Sequence, residues 1–298
     1  MAKRNYILTA LFLISGMGFG QFIGKDGVSK ALFYLQKNEL DSSKKYIDEA
    51  ILDTSTSELP KTWYYRVLIY KDLYKANEKD NFDSPLRQNA ADALNKLSQL
   101  DLTNEFTESS QKMMVYLAST FYNDAARSLN PNSYNKAIER YNKYKQLMTL
   151  AKSGGDLIQQ DVKFYLALAS MLNQNLEQTN KKDSTKLNEV KNVYESVLKI
   201  DPNNGSANYS LGIIYYNESA DIINNLDYDM DLEQLNKYQD ICTELFLKAL
   251  PYMNKCYELK YNLKETLLGL SNIYHGLNDT EKEELYKNEL KALELQNK

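Results

Sequence analysis

Histidine, cysteine, proline and glycine are all scarce in this 298-residue chain, and each scarcity removes a class of explanation. His275 is the only histidine, so one chain cannot assemble a multi-histidine metal cluster. Cys242 and Cys256 are the only thiols. If one continuous helix carries both, their separation is about 21 Å along its axis, whereas a disulfide needs Cα atoms within about 7 Å. An intrachain bridge is therefore not expected, and Cys256 reads as a small core residue. With 5 prolines and 11 glycines, the composition suits helices better than turn-dense β-structure. No G-x-x-x-x-G-K-S/T phosphate loop occurs, because the glycines are dispersed. A basic excess is missing too: 36 Lys and Arg face 40 Asp and Glu, for a net charge of −4. That is the opposite of a nucleic-acid-binding footprint, so no nucleic-acid partner is expected.

Long apolar runs are also lacking, apart from Tyr6 to Ile14, about half of the ~20 residues that span a bilayer. Lys3-Arg4 precedes that run, and Gly18 and Gly20 place small residues three and one before Gln21. Together these read as a secretory signal over 1–20, cleaved after Gly20. No cysteine lies near the cleavage point, so lipid attachment is not expected. The mature chain, 21–298, is expected to be exported, soluble in the periplasm or outside the cell, and free of a membrane span. Loss of Lys3 and Arg4 makes its net charge −6.

What the chain has in quantity is helix-compatible sequence with apolar residues at helical spacing. Residues 190–216, VKNVYESVLKIDPNNGSANYSLGIIYY, set the pattern. Val193, Val197 and Ile200 form the stripe of one helix, and Asp201-Pro202-Asn203-Asn204-Gly205 ends it, because proline cannot continue an α-helix. A second helix follows with Leu211, Gly212 and Tyr215 on one face. The same joint recurs downstream: Ala249, Met253, Cys256 and Tyr261 lead to Leu267, Leu270, Ser271 and Tyr274. The offset from the small position of one helix to the small position of the next is the same in both joints, from 190 to 212 and from 249 to 271.

These residues resemble the joint between tetratricopeptide repeats, helical hairpins of about 34 residues with helices A and B. Asn208, Leu211, Gly212 and Tyr215 match helix A; Val190, Tyr194, Val197 and Pro202 match the preceding helix B. Weaker matches lie upstream. Trp63, Val67 and Tyr70 pair with Ala90, Leu94 and Leu97; Met114, Leu117, Ala118 and Phe121 pair with Ala137, Tyr141 and Tyr144. Tyr165, Leu168, Ala169 and Leu172 lead to the helix with Val190, and Ala31 and Tyr34 pair with Ser43, Ile47 and Ala50. The resemblance implies an all-α, right-handed α-solenoid of about six antiparallel helix pairs, forming a single domain over 21–298. Arg66 and Lys30 stand where the family usually has Leu, and the last helix B is degenerate.

Breakers punctuate the chain at matching places. Ser84-Pro85 and Asn130-Pro131 read as a cap plus first turn of second helices, Gly154-Gly155 separates two hairpins, and Pro251 is expected to kink or divide a long helix. From the small position of helix A to that of helix B, hairpins two to five are longer than the family's, which implies extended helices along one edge. The widest excess, 217–243, includes Asp227, Asp229, Asp231 and Glu233. An EF-hand starting at Asp227 would need Gly and Glu where Leu232 and Tyr238 stand. Asp231 reads instead as an N-cap, and no metal site is expected.

No catalytic set stands out, since carboxylate pairs are commonplace at 26% charged residues, and neither enzyme activity nor a cofactor is expected. Many of the 24 tyrosines, such as Tyr70, Tyr141, Tyr194, Tyr215 and Tyr274, fall at family packing positions. Others fall on the face of helix A that lines the family's concave groove: Tyr64, Tyr122, Tyr209 and Tyr216, with Lys71, Asn123, Asn173, Asn217 and His275. The family's Lys/Asn clamp for carboxylate termini is absent, because its first lysine would fall at Tyr64, Val115, Leu166 or Tyr209. The resemblance therefore implies a protein or peptide partner in the groove, with Tyr209 and Tyr216 replaceable at little cost in stability. The alternative is a structural subunit of an envelope assembly that docks through the edge with the longer helices. A third reading is a glycan or small-molecule binder that uses the groove aromatics.

Overall fold

The computed structural model describes residues 26–152, 157–178, 183–227 and 229–296. The expected secretory signal over 1–20 and the expected break at Gly154-Gly155 lie outside the described residues. Within them the chain is all-helical, with no strand. The elements are α1 (Gly27–Gln36), α2 (Leu40–Ala50), α3 (Pro60–Leu73) with a π-helical extension (Tyr74–Glu78), α4 (Pro85–Leu100), α5 (Thr107–Arg127) and α6 (Tyr134–Leu150). Then come α7 (Leu157–Gln178), α8 (Ser184–Ile200), α9 (Gly205–Asn224), α10 (Leu232–Glu258), α11 (Leu263–Gly276) and α12 (Thr280–Gln296). None of the described helices is long and apolar enough to cross a membrane.

The helices group into two compact units, Met1–Leu117 and Ala118–Lys298. In the first, α1 packs on α2, α2 on α3, α3 on α4, and α1 also meets α3. In the second, each helix from α7 to α12 packs on the next, and α9 also meets α11. Contact with the next helix and the next but one is how a helical repeat covers a face that one hairpin leaves bare.

Local chemistry starts and stops these helices. Ser84 caps α4 by accepting the Arg87 N–H at 3.0 Å, and Pro85 occupies the first turn, where its missing N–H has no partner to lose. Asn204 caps α9 through Ala207 N–H at 3.1 Å, and Asp231 caps α10 through Gln234 N–H at 2.8 Å. Asn130-Pro131 does not start a helix. Asn130 folds back on Ser133 Oγ at 2.6 Å, and α6 begins only at Tyr134. Pro251 does not divide α10 either; the helix runs from Leu232 to Glu258 around it. Pro251 and Leu247, whose carbonyl loses its usual donor, are both exposed, so water reaches the gap. Where a left-handed turn is needed, asparagine stands in for the scarce glycine: Asn38, Asn104, Asn262 and Asn278 all have positive φ, and none of the described glycines does.

The packing explains the sequence joints. Val190, Tyr194, Val197, Leu211, Leu168 and Ala169 are buried in one core cluster of α7, α8 and α9. Gly212 lets α9 approach α10: a Cβ there would lie 2.5 Å from Met253 Sδ and 2.7 Å from its Cγ. Met253 is fully buried and has little room to yield. We expect Gly212→Leu to cost about 1–3 kcal/mol or more through overpacking, read as a lowered unfolding midpoint in urea; an unchanged midpoint would contradict this packing. Cys242 and Cys256, both on α10, are free and buried. Burial pushes the Cys256 thiol up to about 12, which makes it inert.

Tyrosine hydroxyls tie neighbouring helices together. Tyr70 on α3 donates to Asp48 on α2 at 2.8 Å, and Tyr141 on α6 donates to Asp161 on α7 at 2.8 Å. Tyr257 on α10 donates to Glu289 on α12 at 2.8 Å, and Tyr134 on α6 donates to Glu189 on α8. Rings add contact: Tyr141 stacks on Phe164 with centroids 3.9 Å apart. Much of the tyrosine surplus is thus mortar between helices.

Candidate functional site

The second unit contains a cavity of about 1410 Å³. Its origin lies in helix length. At 1.5 Å per residue, α10 reaches about 40 Å and α11 only about 21 Å, so α11 cannot cover all of α10. The first third of α10 is left bare: residues 231–241 are exposed throughout. Yet Leu232, Leu235, Tyr238 and Ile241 repeat every third residue there, an apolar stripe without a packed partner.

Two helical faces look into the cavity. From α9 come Tyr209, Ile213, Asn217, Ala220 and Asn224, one per turn; from α10 come Gln234, Tyr238, Ile241 and Leu245 at the same pitch. The end of α7 adds Asn173, Leu176 and Glu177, and the start of α8 adds Asp183 and Leu187. The turn between α9 and α10 closes one end with Leu226, Asp227, Asp229 and Met230.

The acidic side chains of this lining are mostly committed. Asp183 caps α8 by accepting Thr185 and Lys186 N–H at 3.1 and 3.2 Å, and Asp231 caps α10. Glu218 pairs with Lys191, whose ammonium also lies 4.4 Å from the Tyr215 ring centroid. Glu177 accepts the Asn173 amide at 2.8 Å, and Asp227 accepts the Asp229 N–H at 3.0 Å. No group of three or more His, Cys, Asp or Glu among the described residues has metal-binding geometry.

Of the nine groove candidates, seven belong to the second unit and two, Tyr64 and Lys71, to the first. Asn173, Tyr209 and Asn217 share the cavity. Tyr216 does not line it; its ring lies 6.0 Å from Phe246 on α10. Tyr122 packs toward α6, 5.1 Å from the Tyr144 ring, with Asn123 exposed beside it. In the other unit, Tyr64 stacks on Phe106 at 4.6 Å and Lys71 pairs with Asp72 at 2.9 Å. His275 is exposed and meets Glu283 at 3.2 Å, and Glu283 also pairs with Lys287. The expectation that Tyr209 and Tyr216 can be removed at little cost is corrected. Both are half-buried against the core of α9, α10 and α11, and burial raises the Tyr209 phenol above its ordinary range.

Sequence reasoning missed the opposite wall. Tyr238, Ile241 and Leu245 carry a clear helical spacing, but nothing in the sequence says that this stripe lies across from Asn217. The signal was the excess length of 217–243, which the edge reading had already singled out.

No family model matches this chain, and no curated protein matches it. Among solved structures, a monomeric IFIT1 mutant with Gppp-AAAA is similar over 88% of this chain and 58% of that chain, at 10% identity and a TM-score of 0.34. The chain therefore spans less than two thirds of that protein's length. A likeness of this size carries no argument about fold or ligand.

Proposed function

We propose that this chain is a non-enzymatic binding scaffold of the tetratricopeptide type, arranged as about six antiparallel pairs in a right-handed array. It is exported and soluble after loss of 1–20, and it holds a protein or peptide partner in the cavity bounded by α7, α8, α9 and α10. The observation that supports this most is the lining itself: two helical faces, mostly exposed on α10 and half-buried to exposed on α9, part apolar and part polar, spaced at one side chain per turn and open to a ligand of helix size. Asn173, Tyr209 and Asn217 are the groove residues assigned to the partner, with Tyr238 and Ile241 added from α10.

One observation favours a second reading, docking to an envelope assembly along the edge. Leu232 and Leu235 are exposed on the same α10 segment, 70% and 40%, and neither lines the cavity. The two readings share α10 and differ in which side of it works. Ala220→Trp would fill the cavity from α9, whereas Leu232→Glu with Leu235→Glu would spoil the outer side alone. We expect Ala220→Trp to weaken capture of the native partner at least tenfold, with the double glutamate variant close to wild type. The reverse pattern in quantitative co-purification would decide for the edge. Circular dichroism and melting of each variant separate loss of binding from loss of fold.

A further inference from the structure

Resting on the cavity as the binding surface, we propose that its occupant is a cationic amphipathic helix of a protein partner. The charge of the lining carries this. Glu177, Asp227 and Asp229 face the cavity along with the capping Asp183 and Asp231, and no Lys, Arg or His is among the described residues that line it. Hydrogen bonds from neutral donors leave these five charges in place, while Lys191 pairs with Glu218 beside them. A phosphate- or carboxylate-bearing ligand would meet like charge on three sides; lysine or arginine side chains would meet complement.

The secondary structure of the occupant follows from the walls. Tyr209, Ile213 and Asn217 on α9 and Tyr238, Ile241 and Leu245 on α10 form ridges at helical pitch, and a third helix laid between them seats its own ridges in their grooves. The described residues offer no strand edge to which an extended peptide could add. Size agrees: a helix about 10–12 Å across occupies roughly 450 Å³ per turn, so a cavity of about 1410 Å³ matches about three turns. The occupant then buries apolar residues every third or fourth position on Ile213, Ile241 and Met230, and points its basic residues at the carboxylates.

The test uses the mature chain and two fluorescein-labelled 15-residue peptides with leucine at helical spacing, one carrying lysine at every other position and one carrying glutamate there. Fluorescence anisotropy at low salt should show the lysine peptide binding at least tenfold tighter than the glutamate peptide. Its affinity should fall at least tenfold at 0.5 M salt. Combined Glu177→Gln, Asp227→Asn and Asp229→Asn, which keep the acceptor atoms, should weaken it at least fivefold, and Ala220→Trp should abolish it. Asn217→Arg, at an exposed position, serves the same purpose should Ala220→Trp unfold.

Equal binding of the glutamate peptide would overturn the charge assignment and leave the cavity as the binding surface. Lysine-peptide binding that survives Ala220→Trp and Asn217→Arg would overturn the proposal, because attraction to the acidic surface at large would explain it. Binding of neither peptide, with native-partner capture still lost in Ala220→Trp, would reject the helix and spare the binding surface. Native-partner capture unchanged by Ala220→Trp would reject the binding surface itself.

Discussion

Asp48→Asn is expected to destabilise the amino-terminal unit by about 2–3 kcal/mol. Arg66 stands where the tetratricopeptide pattern that the sequence resembles usually has Leu, and the structure shows what holds it there. Arg66 is 7% exposed as a residue, and its guanidinium pairs with Asp48, donates to Asn89 at 3.1 Å and lies 4.3 Å from the Tyr70 ring centroid. Asp48 also accepts from Lys44 at 2.8 Å and from Tyr70 at 2.8 Å. Removing one partner of a buried ion pair costs about 3–5 kcal/mol, since the remaining charge is left uncompensated. The Asp48 side chain is 31% exposed, so water recovers part of that, which sets the lower figure.

The sign with pH is fixed by the same contacts. Burial alone would raise the Asp48 carboxyl, but the hydrogen bonds from Lys44, Tyr70 and Arg66 outweigh it and hold it below the ordinary carboxylate range. A depressed value in the folded state means stability that is present above the unfolded value, about 3.9, and lost as pH falls through the folded one. The gap between wild type and Asp48→Asn should therefore close below about pH 4. Combining Asp48→Asn with Arg66→Leu should recover most of the loss, because no buried charge is then left alone. Urea unfolding of the four proteins of the cycle checks this; a double variant as unstable as the sum of the singles would contradict it.

The second large effect is expected at alkaline pH. Burial first, and then donation to Asp161, pushes the Tyr141 phenol far above its ordinary range. The bond to Glu189 raises Tyr134 to about 12, and the bond to Glu289 raises Tyr257. Each phenol is favoured in its neutral form by folding, so this stability is complete below pH about 10 and is lost as pH rises through the folded values. Ionising these hydroxyls would remove the donors that join α6 to α7 and α8, and α10 to α12, and set phenolate against carboxylate. Absorbance at 295 nm should therefore still be rising well above pH 10, and this late rise should coincide with loss of helical ellipticity. Titration of all 24 tyrosines near pH 10 with helicity intact would contradict the assignment.

These two networks mark the limit of what the sequence disclosed. The small positions Ala31, Ala90, Ala137, Ala169, Val190, Gly212, Ala249 and Ser271 are all buried, because helix spacing and residue size are written locally. The caps at Ser84, Asn204 and Asp231 were legible for the same reason. Asn130-Pro131 misled, since a turn motif does not say how many residues pass before the helix begins. Pairs such as Tyr134 with Glu189 or Arg66 with Asp48 were invisible, as they depend on which helix faces which across 18 to 55 positions.

The candidate site was legible only in fragments. Asn173, Tyr209 and Asn217 were found through their repeat positions, but so were Tyr216 and Tyr122, whose rings turn toward α10 and α6. Whether a tyrosine fills a joint or faces a groove depends on the length of the next helix, and residues 217–243 set that length here. Groove and edge looked like rival surfaces in the sequence because the excursion was counted as an addition to the repeat. In the structure it is a wall of the cavity.

The most direct test of the cavity as the working surface is site-specific photo-crosslinking in cells that make the protein natively. A benzophenone side chain placed at Asn217 or Ile241, on opposite walls, should yield a covalent adduct with the same partner. The same group at Leu295, exposed on α12 of the same unit, should yield none. Adducts from Leu295, or from Leu232 alone, with none from Asn217 and Ile241, would contradict the account.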